Sequence, residues 1–395
     1  MCLQNWSTVT KLVLVGFSVP SDSTVANALG NLLFNTAGEL NKHYKGMVPF
    51  MLLVVLSFDG YVVTCIRKCN VKKTLRDMTS RNHTAVTYFQ FLPFSSTPEI
   101  QGFLFCLVLF MYLSTLVGNI LIITVTMADA ALHSPMYFFL KNLSFLEIGY
   151  TTSTIPKMLV NFLAKRKGIS FLGCATQMYA FSLLGITECC LLAAMAYDRY
   201  AAICHPLRYM TMMSWNMCFL LSAVSWLIGV LVALGQTTFI FTLPYCGPNR
   251  INHFFCDLPP LLKLACVDTS KNEITTFVIT VLFIMVPFLL TVVSYVQILH
   301  TIFRMPSARN KRKTFSTCSS HLVVVTLFYG SAIVTYWTPK GFYSSSSNKL
   351  LSLSYTLVSP VMNPLIYSLR NKEVKQALKR LIAKNINRCH AYELN

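Results

Sequence analysis

The sequence predicts an all-α membrane protein, a bundle of seven transmembrane helices followed by a short cytoplasmic helix. Three observations predict it. Of 395 residues, 54% are hydrophobic and 12% charged, against about 45–50% and about 25% in an ordinary soluble domain. Seven apolar windows reach the roughly 20 residues needed to cross about 30 Å of hydrocarbon. The Lys and Arg residues fall mainly between those windows, as loops at a membrane surface require.

The windows are 102–127, 137–161, 174–200, 215–240, 275–301, 316–338 and 351–369. Each is a helix, because hydrocarbon offers no partner to a free backbone amide, and barrel strands are shorter and alternate in polarity. Orientation follows from the loop bases. With the segment before the first helix outside, the inner loops and tail carry Arg199, Arg208, Arg304, Arg309, Lys311, Arg312, Lys313 and the bases from Arg370 to Arg388, while fewer bases lie outside. The cluster Lys165-Arg166-Lys167 opposes this assignment. The sequon Asn82-His83-Thr84 supports it, because an acceptor asparagine must be lumenal to be glycosylated. A second sequon at Asn142 falls inside a span and is set aside.

Residues 78–384 thus form the membrane domain and 385–395 a cytoplasmic tail. Residues 1–77 fit poorly. Val48–Ile66 is apolar but is interrupted by Asp59 and Gly60, and Arg67, Lys68, Lys72, Lys73 and Arg76 behind it would anchor that side in the cytoplasm, against an external Asn82. The expectation is an atypical extension from an aberrant gene model, or a signal-like segment.

The net charge of +19, from 33 Lys+Arg against 14 Asp+Glu, does not read as nucleic-acid binding, which needs bases grouped on one water-facing surface. The 14 cysteines are too scattered for a zinc module, and His253-Phe254-Phe255-Cys256-Asp257 is a poor ligand set for a metal. Neither a Ser-His-Asp order, paired acids nor a phosphate-cradling loop falls where a water-filled site forms, so no enzyme and no cofactor is expected. The last span has no lysine for a retinal Schiff base. The internal repeats of a transporter are not evident either.

Asn119, Glu147 and Glu188 lie inside three different spans, where such groups are costly unless they face a partner or a wet cavity. They read as a proton or cation site, or equally as a permanently bonded structural knot. A channel or transporter would use the two glutamates as an ion path. Asp198-Arg199-Tyr200 ends the third span; its arginine is either released to a partner when helices separate or snorkels to the interface. In the last span Pro364 removes a helical hydrogen bond, freeing Asn363 and Tyr367 to bond other helices. Cys174, Cys246, Cys256 and Cys266 share the outer side, and four cysteines allow three pairings.

The motifs occur together and in order. Gly118-Asn119, the run LHSPMYFFL from Leu132, MAYDRYAAICHPLRY from Met195, Ser294-Tyr295, KTFSTCSSHL from Lys313, Phe328-Tyr329-Gly330 and PVMNPLIYSLRN from Pro360 span 78–384. With them the chain closely resembles the olfactory (odorant) receptors, a branch of the rhodopsin-like G-protein-coupled receptors. Ala201 and Val361-Met362 depart from the usual residues, apolar for apolar.

The resemblance implies disulfides pairing Cys174 with Cys256 and Cys246 with Cys266. It places Arg199, Tyr295 and Tyr367 at a G-protein-coupling face and puts Asn119, Glu147 and Glu188 in a polar interior that rearranges on activation. It also implies an odorant pocket formed by Phe181, Ser182, Gly185, Ile186, Ile279, Thr280, Phe283, Tyr329, Ile333 and Tyr336. Aromatic and aliphatic walls suit small, volatile, mostly apolar ligands, with Ser182, Thr280 or Tyr336 orienting one polar atom. Amine receptors of this fold carry Asp at the position of Phe181, so weak response to charged amines is expected. The implied partners are an odorant, a stimulatory heterotrimeric G protein that raises cAMP, and membrane lipid at the cell surface, with the amino terminus outside and the carboxyl terminus in the cytoplasm.

Overall fold

A proline at the first helical position opens two of the long helices, because an amide there has no intrahelical acceptor to lose. Pro98 starts α1 (Pro98–Ala128), and Pro135, behind Ser134, starts α2 (Pro135–Leu163). Serine side chains cap the next two: Ser170 accepts from Gly173 N at the head of α3 (Phe171–Cys204), and Ser214 from Met217 N at the head of α4 (Trp215–Phe241). The fifth helix, α5, runs Ser270–Arg304 through a π turn at Val281–Met285. Then come α6 (Ala308–Trp337) and α7 (Ser359–Arg370), the latter entered through a second π turn, Ser354–Val358. A short helix α8, 373–380, follows. The computed structural model describes residues 86–93, 97–164, 167–245, 249–337, 352–370 and 373–380. Asn82, Cys246 and the 1–77 segment lie outside the described residues.

The predicted windows recur as helices, mostly longer than read. Among the described residues, five helices (α1, α3, α4, α5 and α6) are long and apolar enough to cross a membrane. The described part of α7 contains a shorter apolar stretch, Thr356–Ile366. In α2 the polar groups are turned inward: Glu147 and Thr151 are fully buried. The outside is greasy, with Phe103, Phe110, Leu231, Leu290 and Phe303 exposed. Exposed large apolar side chains in such numbers on a folded body call for an apolar surrounding rather than water.

Helix α3 is the central rod, packed against α2, α4 and α5. Leu191, Leu192 and Ala196 on it are fully buried. Its contact with α4 depends on Gly229, where a Cβ would stand 2.1 Å from Thr187 Oγ1 and 2.8 Å from the Leu183 carbonyl. The threonine can turn but the backbone carbonyl cannot, so Gly229→Ala is expected to cost about 1–3 kcal/mol through overpacking. A lowered melting temperature of the purified receptor in detergent checks this; an unchanged one overturns it. Gly118 plays the same part between α1 and α7, where an added Cβ would stand 2.8 Å from Pro364 Cβ.

At one end of the bundle lies a small sheet that hydropathy does not announce. Strand β1 (Tyr88–Phe91) pairs antiparallel with β2 (Gly168–Ser170) and parallel with β3 (Arg250–Ile251). Alternation sends Phe89 and Phe91 inward, and the Phe89 ring meets Phe171 at 5.9 Å and Tyr245 at 5.6 Å. At the opposite end, α8 turns Val374 and Ala377 into the core. Glu373 accepts a hydrogen bond from Tyr137 at 2.5 Å, and Arg380 pairs with Asp129 at 2.6 Å. The hydrogen bond from Arg380 and that from the Ala131 amide hold the Asp129 carboxyl below its ordinary range. This pair is open to solvent, so salt screens it.

Candidate functional site

Three groups of polar and aromatic residues stand out, one below the sheet, one in mid-bundle and one at the far end. The first surrounds a cavity of about 100 Å³ between α3, α4, α5, α6 and the loop after β3. Phe181, Ser182, Gly185 and Ile186 line it from α3, and Ile279 and Phe283 from α5. Aromatic rings build its walls: Tyr150 lies 4.8 Å from Phe181, which lies 4.9 Å from Phe255. A side chain at Gly185 would face Tyr150 at 3.7 Å, so the glycine leaves room there.

Part of the predicted lining is misplaced. Tyr329 and Ile333 do not line the cavity; Phe328 and Ala332 do. The cause is a hydrogen bond: the Tyr329 hydroxyl donates to the Cys189 carbonyl at 2.9 Å, turning that edge of α6 into the α3 contact. One residue of register on a helix is about 100° of rotation. The side chains of Thr280 and Tyr336 lie outside what is described. Unforeseen members are Gln236 on α4 and Asp257 and Leu258 in the loop. The cavity therefore does hold an acid. Asp257 Oδ1 accepts from Leu258 N at 2.8 Å. The expected weakness toward amines rests on Phe181 standing where amine receptors carry Asp; Asp257 adds an acid from the loop at a different place in the wall.

The loop is fastened by a disulfide between Cys174 and Cys256. The Cys256 amide donates to Gln177 Oε1 at 2.9 Å, and His253 is bonded to Ser352 at 3.0 Å. Cys266 is disulfide-bonded as well.

In mid-bundle, Asn363 on α7 donates to Glu147 Oε1 on α2, and Glu188 on α3 stands near enough to Glu147 to feel its charge. All three are at most 2% exposed. Oxygens remain without a partner: Glu147 Oε2, Glu188 Oε1 and Asn363 Oδ1. Asn119 is not joined to this group by a hydrogen bond; its Nδ2 donates to Thr115 O, four residues back on α1.

At the far end, Asp198 accepts from the Tyr209 hydroxyl at 2.9 Å. Burial, and then the neighbouring Asp198, push the Tyr209 phenol above its ordinary range. Arg199 lies against the Met136 sulfur, and Tyr200 is bonded to His205 at 3.0 Å. Tyr295 is bonded to His321 Nδ1 on α6 at 2.7 Å. It packs in a cluster with Ala196, Ile298 and Cys318 that closes α3, α5 and α6 together. The side chain of Tyr367 lies outside the description; Pro364 sits inside α7.

A family model described as olfactory receptor matches residues 105–385. The chain belongs to the olfactory receptor family. Human olfactory receptor 10A4 is 58% identical over 310 residues, 78% of this chain and 98% of the relative. Human olfactory receptor 10C1 is 54% identical over 307 residues, again 78% of this chain and 98% of the relative. Squid rhodopsin superposes with a TM-score of 0.59 at 17% identity, covering 78% of this chain and 93% of that one, and shows the shared seven-helix fold. As an olfactory receptor the protein is a multi-pass membrane protein with a small-molecule ligand and a G-protein partner, and it is not an enzyme.

Proposed function

We propose that this olfactory receptor binds small, volatile, mostly apolar odorants in the cavity below the sheet and activates a stimulatory G protein, raising cAMP. The cavity carries the reading: a mostly apolar, aromatic-walled space with few polar groups is what a small organic ligand needs for burial and orientation. Its volume is below that of an engineered cavity that holds benzene, about 150 Å³, so larger odorants require side chains to yield. The sheet end faces outside and the Arg199 end faces the cytoplasm, in the plasma membrane. The Glu147, Glu188 and Asn363 group holds a proton or cation whose site differs between two packings, and its unpartnered buried oxygens support that. An odorant that fits the open packing better draws α6 away from α3, breaks the Tyr295–His321 closure and frees Arg199.

The receptor domain spans 78–384, with 1–77 an atypical extension and 385–395 a tail; the relatives' match over nearly their own full length supports this. A version beginning at Met78, screened against volatile ligands with a cAMP readout, is expected to reach the surface better than the full chain and to respond to at least one of them. A full chain that is displayed equally well removes the case for an aberrant extension. A displayed receptor silent to every ligand removes the odorant reading.

A further inference from the structure

We propose that Gln236 on α4 is a ligand-binding residue of this pocket, and that with Ser182 it selects ligands bearing a neutral oxygen function, a carbonyl or a hydroxyl. The inference rests on reading the cavity as the odorant site. Gln236 lines that cavity at 9% exposure, and among the described residues its side chain has no hydrogen-bond partner. Most of the other side chains lining the cavity, Phe181, Ile186 and Ile279 among them, are apolar. An amide that opens onto an enclosed, mostly apolar space gains from a partner there, and the cavity's occupant can supply one.

The chemistry of the available groups narrows the occupant. A carboxamide presents two N–H donors and one acceptor oxygen, and the half-buried Ser182 hydroxyl, lining the cavity from α3, presents one donor and two acceptor positions. Both are neutral and both donate, so together they match an oxygen that accepts. Asp257, the charged member of the wall, already accepts from the Leu258 amide. Its carboxylate repels a ligand carboxylate and leaves the neutral pair to do the orienting. A hydrocarbon would fill the cavity but leave Gln236 and Ser182 unbonded. The amide lies on α4, an element to which the family resemblance assigned no pocket residue.

The test uses the displayed receptor and matched probes: pentanal, pentanol, pentanoic acid, pentylamine and pentane, with longer and branched members of each class. The wild type is expected to respond to aldehydes, ketones or alcohols at concentrations at least about tenfold below those of the matched acids and hydrocarbons, a preference one or two hydrogen bonds can supply. Gln236→Met, close in length and without the amide, should raise the effective concentration for the oxygenated probes about tenfold and leave the hydrocarbons unmoved. Gln236→Asn should recover part of the loss. If Gln236→Met fails to reach the surface, Ser182→Ala carries the same comparison. Equal potency of the variants toward oxygenated probes, or a wild type that prefers acids, amines or hydrocarbons, overturns the inference while the odorant reading stands. Silence toward every class in a displayed receptor overturns both.

Discussion

Arg199→Ala is expected to abolish odorant-evoked cAMP while leaving display at the cell surface near the wild-type level. The structure separates the two effects. Asp198 is fastened by Tyr209 and buried to 1% exposure, so Asp198 helps hold the fold. Arg199 lies against the Met136 sulfur at the end of α3, and among the described residues its guanidinium holds no ion pair, so it can take a new partner. A planar, permanently charged group with five donors, at the end of the central helix, suits recognition of a protein partner when α6 moves away. Removing it deletes that recognition and leaves the Tyr295–His321 closure intact. Surface staining combined with a cAMP reporter measures both quantities. Undiminished signalling would count against Arg199 as the coupling residue, and loss of display would mean that it serves the fold instead. Asp198→Ala provides the contrast, with display expected to fall as Tyr209 loses its acceptor.

Removing the Cys174–Cys256 bridge is the second large effect. The disulfide closes a loop with a sequence separation of 82, and loss of a bridge of this kind typically costs about 2–5 kcal/mol. Here it also unfastens the segment that brings Asp257 and Leu258 to the cavity wall. Cys256→Ser is therefore expected to lower surface display severely and to remove ligand response in whatever reaches the membrane. The double variant Cys174→Ser/Cys256→Ser should be no worse than either single one, because both delete the same bond. A double variant as well displayed and as responsive as the wild type would mean the Gln177 and Ser352 contacts suffice to hold the loop.

Much of the architecture was legible because hydrophobic length is a strong signal: the windows predicted from apolar runs became α1 to α7, with ends shifted by a few residues. The starts of α6 and α7 shift most, α6 outward and α7 inward behind its π turn. Helix α6 starts at Ala308 rather than 316 because the basic stretch Arg309–Lys313 is itself helical. The sheet was illegible for the opposite reason. Its strands are only two to four residues long, too short to show alternation, and their pairing joins residues far apart in the chain.

Of the expected pocket residues on α3 and α5, Phe181, Ser182, Gly185, Ile186, Ile279 and Phe283 line the cavity. On α6 the expectation failed by one residue, because periodicity cannot say which edge wins when Tyr329 finds a backbone acceptor on α3. The mid-bundle acids were flagged by their cost in hydrocarbon, yet Asn119 satisfied its own need within α1. A signal for Gln236 existed, an amide in an otherwise greasy stretch from Gly229 to Gly235 and beyond, and the same cost argument that picked out Glu188 would have found it.

Strand β1 has a partner along each side, with Phe89 sunk beneath it. The residues just ahead of the first membrane crossing are thus a fixed piece of the folded body rather than a loose leader. Epitope labels, export signals and shortened starts accordingly belong upstream of Val86, and cutting any closer strips the cover from Phe171 and Tyr245.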